Sequence, residues 1–238
     1  RGWRRSAIVL LAITVGLSAC LLLVGWSHGL VRQMIENAVS TRLGHLVVMA
    51  QGYQKNPDVM RNLPDDGREI AAALERFPGA HASPRLAGDG LLQSARRSSR
   101  VVILGVDPLR EARVSVVASA LVEGHMPQAA ASESARRLPG IAIGAAMAER
   151  LRIRLGDKVV AHVPGEVGLG AFRVSGIFRT ASSEFDRAVA YVRLEDAQHL
   201  LALPGRVTEV AVSLDDADAL PALRAHTVAE LALRDPGA

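Results

Sequence analysis

The chain has a single cysteine, Cys20, among 238 residues. That excludes a disulfide scaffold, because no second thiol is available. Aromatic side chains make up only 3%, while 49% of the residues are hydrophobic. This much apolar surface excludes a disordered or low-complexity chain. Acidic residues are missing from the amino-terminal stretch, and all 24 of them follow the one long apolar run. Arg1, Arg4 and Arg5 precede that run, which leaves 25 basic against 24 acidic side chains beyond it, a formal +1. So near-neutral a remainder excludes nucleic acid as a partner. Lysine is also rare, with 2 of the 28 basic residues.

Chemical motifs are missing too. The seven histidines (28, 45, 81, 125, 162, 199 and 226) never fall three to five residues apart, so neither HxH nor HExxH spacing occurs. There is no G-x-S-x-G nucleophile elbow. Gly165 to Gly170 is rich in glycine but lacks dinucleotide order and the Lys-Ser/Thr of a phosphate loop, so it reads as a turn. Asp215, Asp216 and Asp218 lack calcium-loop spacing and read as helix N-caps. Arg96, Arg97 and Arg100 read as a solvated face, with an anionic partner as the alternative. Glu184, Asp186 and Arg187 read as a salt-bridged corner. The sequence therefore predicts no catalytic residue, no metal ligand and no cofactor site.

What is present is an uncharged run from Ala7 to Trp26. As a helix these twenty residues extend roughly 30 Å, the thickness of a bilayer core. Arg4 and Arg5 on one flank and Trp26 on the other are the expected membrane anchors, and Trp3 lies at the near interface. The positive-inside rule puts the amino terminus in the cytoplasm and the bulk of the chain outside. An alternative reading takes Leu17-Ser18-Ala19-Cys20 as a lipobox, with Cys20 lipidated and the remainder a tethered binding or scaffold module. Against it, the apolar run continues through Leu21, Leu22, Leu23, Val24 and Trp26, where a lipoprotein needs a polar linker. Leu30, Val31, Met34, Ile35, Ala38 and Val39 then form one helical stripe. This predicts a stalk to Leu43 stopped at Gly44, with a soluble-core helix as the competing assignment.

Beyond the stalk, short strands and helices alternate irregularly. Strands are predicted at 45–53, in pairs over 81–106 with Gly88-Asp89-Gly90 as their turn, and at 158–163, 171–178, 189–192 and 209–214. Phe172, Val174 and Phe178 are assigned to one face of their strand. Helices are predicted after a capping box at Asp66-x-x-Glu69, near 108–121, over 141–151, over 194–201, and through Leu220, Leu223, Val228 and Leu231. Residues 130–139 read as a loop. The fold class is an α+β exported domain of two sub-domains over 44–238, with an inserted sub-domain at roughly 100–185, on an amino-terminal helix over 1–43.

Three stretches together resemble one family. Gly140-IAIGAAMAERLRIRLGDKV is similar to the strand, small-residue helix and L-x-x-G-D-x-V segment of MacB-type ABC transporter permeases. Phe172-RVSGIFRT, Ser183-EFDR and Ala190-YVRLEDAQ resemble the segment that follows in their periplasmic core domain. Val106-DP, Glu123-GHMP and the span, stalk and GHLVV strand match in order. The family includes the lipoprotein-releasing permeases LolC and LolE, MacB exporters and FtsX relatives. The resemblance implies a non-enzymatic inner-membrane subunit whose movements couple ATP hydrolysis by a cytoplasmic ABC ATPase to work in the periplasm. It implies as partners that ATPase, a second permease copy or homologous subunit, membrane lipid, and a periplasmic carrier or adaptor. Family members carry three further spans, so the chain is expected to be part of a longer permease. Lipoprotein-releasing members have a longer hook between the strands flanking 164–170. The connection here is short, so no hook residues are transferred.

Overall fold

The computed structural model describes residues 3–38, 44–50, 53, 60–63, 65–128, 138–163 and 168–234. The chain divides into two compact units, Arg1–Val39 and Ser40–Ala238.

The first unit is one helix, α1 (Trp3–Ala38), of 36 residues. At 1.5 Å per residue it is about 54 Å long. No proline interrupts it, and Gly16, Gly25 and Gly29 have open space beside them. Leu10, Leu11, Ile13, Val15, Leu17 and Leu22 are all exposed. Thr14 turns its hydroxyl inward and donates to the Leu10 carbonyl at 2.7 Å, satisfying itself within the helix. Side chains of α1 are described without a break only over 13–27, about 22 Å of helix. Among the described residues no helix is long and apolar enough to cross a membrane. The expected span over 7–26 is taken up below as a proposal. Residues 39–43, where the stalk was expected to end, lie outside the described residues.

Among the described residues the second unit has nine strands: β1 (Leu46–Met49), β2 (Ala80–Gln93), β3 (Ser98–Val106), β4 (Leu121–Gly124), β5 (Gly140–Gly144), β6 (Lys158–His162), β7 (Leu169–Phe178), β8 (Val189–Arg193) and β9 (Glu209–Leu214). Their order is β1-β9-β2-β3-β8-β5-β7-β4, with β6 bridging β2 and β7. The path β2-β3-β8-β5-β7-β6 therefore returns to β2, a closed ring of six strands in which neither β2 nor β7 is left with a bare edge. The β3–β8 and β5–β7 pairs are parallel and the other pairs antiparallel. Strands of the region at roughly 100–185 bond to strands outside it, through β2–β6 and β5–β8.

Side chains alternate between two cores, as strand geometry requires. Val101, Ile103, Ile141, Ile143, Phe172 and Ala190 belong to the larger core. Leu104, Val106, Ala142, Val189 and Tyr191, their strand neighbours, belong to the smaller. Helices α2 (Arg68–Leu74), α4 (Ala145–Leu151), α6 (Leu194–Leu200) and α7 (Leu220–Arg234) contribute to the larger core. α3 (Pro108–Val114) packs on β2 and β9, and α5 (Phe185–Ala188) on α4, β5 and β3.

Several expectations are corrected. Gly88-Asp89-Gly90 is not a turn: it lies inside β2, paired with Ile103, Val102 and Val101, and the reversal is at 94–97. Gly90 is required there because a Cβ would lie 2.5 Å from the His162 carbonyl oxygen of the neighbouring strand. The helix predicted over 141–151 is strand β5 as far as Gly144, because both faces of β5 are buried and its apolar run carries no strand period. Phe178 does not share a face with Phe172 and Val174. The β5–β7 register slips between Ile141 and Ala142, a bulge that moves Phe178 into the other core. The capping box is not formed. Gly67 occupies the N-cap in a left-handed conformation, and Asp66 accepts instead from the Arg68 N–H. In α7 Val228 is exposed, and Thr227, one position before it, is buried. The loop over 130–139 lies mostly outside the described residues.

Candidate functional surface

Three polar clusters are fixed by the fold. Arg85 of β2 and Glu111 of α3 are both fully buried and bonded twice, Nε to Oε2 at 2.9 Å and Nη2 to Oε1 at 2.7 Å. Ser83 donates to the same carboxylate at 2.9 Å, and Glu209 of β9 lies 3.6 Å from Arg85. Burial by itself would lower the Arg85 pKa, but the charge and hydrogen bonds of Glu111 outweigh it and raise the pKa, so the guanidinium stays charged. Fully buried, this pair clamps α3 across β2 and β9.

His81 is the second centre. Its Nε2 lies 3.0 Å from Asp215 Oδ1 and its Nδ1 2.6 Å from Arg113 Nη2. Arginine can only donate, so Nδ1 accepts and the ring proton on Nε2 points to Asp215. The third is Asp186, which accepts from the N–H and hydroxyl of Thr180 at 2.8–3.1 Å. That corner is closed by hydrogen bonds to Thr180, not by the salt bridge expected with Arg187, because Asp186 is turned inward and buried. The Asp215–Asp218 group behaves as expected in part: Asp216 caps the 3-10 turn Ala217–Ala219 by accepting from the Asp218 N–H. Among the described residues no group of three or more His, Cys, Asp or Glu could hold a metal ion.

The surface with the strongest character is basic. The reversal between β2 and β3 packs on the C-terminal end of α4, where Ser94 donates to the Leu151 carbonyl at 3.1 Å and Arg97 to that of Arg150 at 3.0 Å. α4 ends in a Schellman turn: Ile153 N–H reaches the Ala148 carbonyl and Arg152 N–H that of Glu149, with Arg152 at φ +55°. A groove of about 390 Å³ opens there, lined by Arg96, Arg97, Arg152 and Lys158, with Asp157 as its one acid. Arg152 also lines a second groove of about 720 Å³ with Arg154, Leu155 and Arg179, where Glu123 and Glu149 supply the opposite charge. Arg96 and Arg97 were noted in the sequence. Arg152, Arg154 and Lys158 were not, because they meet them only in the fold, through the packing of the β2–β3 reversal on α4 and the β2–β6 pairing.

The residues singled out near the amino terminus all fall in α1. Trp26 is 73% exposed and Cys20 is exposed and free. Arg4 and Arg5 lie in its first turns.

The family model described as MacB-like periplasmic core domain matches residues 6–229. The lipoprotein-releasing system transmembrane protein LolC of Xylella fastidiosa strain Temecula1 is 27% identical over 221 residues, covering 90% of this chain and 50% of that protein. LolC of Neisseria meningitidis serogroup B is 25% identical over 237 residues, covering 94% and 53%. The chain thus spans about half the length of the curated relatives it matches. Among solved structures, the periplasmic region of MacB from Actinobacillus actinomycetemcomitans superposes with TM-score 0.53 at 13% identity, covering 79% of this chain and 82% of that one. The extracellular domain of the ABC-type transporter YknZ superposes with TM-score 0.50 at 13% identity, covering 79% and 92%. At such identities the superpositions show the fold alone, a mixed α/β domain. With the family model matched across nearly its whole length, the chain belongs to the MacB-like periplasmic core domain family.

Proposed function

We propose that the chain is the first membrane helix and the exported domain of an ABC transporter permease that uses cytoplasmic ATP hydrolysis to do work outside the membrane, lipoprotein release being the favoured task. The observation that carries this is the extent of the family match, which runs unbroken from residue 6 to 229 and so takes in α1 and the domain as one block. The run Ala7–Trp26 is uncharged, lies within a 36-residue helix and exposes large aliphatic side chains, which suits lipid rather than water. Arg4, Arg5 and Trp26 are proposed as its anchors, with the amino terminus cytoplasmic. The boundary near residue 43 and a sub-domain at roughly 100–185 belong to the same proposal.

Coupling is proposed to act by displacement. A helix closes its backbone hydrogen bonds internally, so it transmits movement along its length without losing them. The ATPase is a separate subunit, and a second permease copy or homologue completes the assembly. The lipobox alternative has no comparable support, since the matched family pattern and α1 itself both run through Cys20 without a break.

The test is purification of the native protein from membranes followed by intact mass and subunit analysis. The expected result is a polypeptide well above 25.2 kDa, free of acyl chains, with an ATPase subunit in fixed proportion. A mature chain beginning at an acylated Cys20, with no ATPase, overturns the proposal.

A further inference from the structure

Two histidines meet at the end of β9, one from each flanking segment, and both act as acceptors. β1 begins at Leu46 opposite Val212, so a continued strand would bring Gly44 opposite Leu214. Gly44 instead turns away at φ +66°, where a Cβ would lie 2.6 Å from the Val212 carbonyl oxygen. The His45 ring fills the place so vacated. Its Nδ1 accepts from the Leu214 N–H at 3.0 Å, while the His45 N–H donates to the Val212 carbonyl at 2.8 Å. On the other side of β9, His81 of β2 pairs with Ser213, and its Nδ1 accepts from Arg113 Nη2 at 2.6 Å.

The donors decide the protonation state. A backbone N–H and a guanidinium can only donate, so each Nδ1 must present its lone pair and each ring must be neutral. A second proton on either ring sets a donor against a donor, and that bond is lost. The surroundings of the two rings differ. His45 has no ion pair among the described residues. Around His81 stand Arg113 of α3, Asp215 just beyond β9 at 3.0 Å from Nε2, and Glu75, which accepts from the Ala82 N–H and from Arg110 of α3. Asp215 favours a second proton on His81 and Arg113 opposes it, so a protonated His81 keeps Asp215 and expels Arg113.

We propose that His45 and His81 form a pH-sensitive clasp on the end of β9. Neutral, they hold the chain entry at Gly44 and the last turn of α3 to the sheet; protonated, they release both while the sheet stays paired. The His45 bond to Leu214 exists only while the ring is neutral, so its contribution is present at neutral pH and is lost as pH falls through the range where histidine titrates. The clasp is a property of the domain itself. Only its use, a response to acid outside the membrane at the joint with α1, rests on the exported topology proposed above.

The test is amide hydrogen exchange on the full chain in detergent, resolved by NMR at about pH 7.5 and about pH 5.5 and expressed as protection over the unstructured-chain rate. In the wild type the Leu214 amide, and the Ser115 amide at the end of α3, are expected to lose protection at the lower pH by roughly three- to tenfold, the size of one lost hydrogen bond. Amides of β3 should keep theirs. His45→Asn supplies a carbonyl oxygen that accepts without titrating, so Leu214 should stay protected at both pH values; His45→Phe, with no acceptor, should leave it exchanging fast at both. Arg113→Gln removes the charged donor opposite His81, and Ser115 should then respond little to pH. Unchanged protection of Leu214 or Ser115 in the wild type, or an equal loss at Leu214 in His45→Asn, overturns the proposal. A uniform loss that includes β3 assigns the effect to unfolding of the whole domain and overturns it equally. Neither membrane topology nor an ATPase enters the measurement, so its failure leaves the permease reading untouched, and failure of that reading leaves the clasp.

Discussion

At the scale of single residues, the fold depends most on groups that have no freedom to move. Arg85 and Glu111 are buried as a pair, and removing one partner strands the other's charge. Glu111→Gln is therefore expected to cost about 3 kcal/mol in urea unfolding, and the double change Arg85→Met with Glu111→Met less than the sum of the two single changes. Asp196, in the first turn of α6, is a milder case. Burial raises its pKa, with the nearby Arg193 opposing the shift. A carboxyl whose pKa is raised in the folded state binds its proton more readily folded than unfolded, so its contribution improves as pH falls into the carboxylate range and is lost as pH rises through the folded pKa. The melting temperature of the wild type relative to Asp196→Asn should therefore rise between neutral pH and mildly acidic pH; a constant difference contradicts the assignment. Neither group was marked by the sequence. Arg85 and Glu111 stand 26 positions apart and have no motif, and only the packing of α3 on β2 brings them together.

At the scale of elements, close approach explains the glycines. A Cβ at Gly105 of β3 would lie 2.3 Å from the Ala197 Cβ of α6. Gly105→Ala is thus expected to destabilise by about 1–3 kcal/mol, as overpacking does, and truncating the opposing side chain with Ala197→Gly should recover part of the loss. Most elements were legible because their apolar period is clear. The strand at 209–214 and the helix at 194–200 stand within a residue of their predicted limits. The misreadings share a cause. Gly88-Asp89-Gly90 carries turn residues inside a strand because neighbouring segments press on it, and β5 has no strand period because both its faces are buried. The β7 bulge is invisible to any alternation count, since it resets the count at Ser175. Each is a tertiary effect acting on local propensity.

At the scale of the whole molecule, the family and the α+β class were legible from ordered segments covering most of the chain, whereas the closed ring and the basic α4 end were not. Ring closure depends on a contact of three residues, Leu91 to Gln93 with His162 to Val160, between strands separated by some seventy positions. α1 is proposed to lie in the membrane and to carry the domain outside it. One cysteine makes this directly testable. In a Cys20→Ser background, Ser119→Cys places a single thiol on an exposed turn of the domain. It is then exposed to a membrane-impermeant maleimide in intact spheroplasts and in inverted membrane vesicles. Labelling is expected in spheroplasts, with protection in inverted vesicles until detergent is added. Labelling only in inverted vesicles would contradict it, as would recovery of the thiol in the fraction that carbonate washes from the membrane.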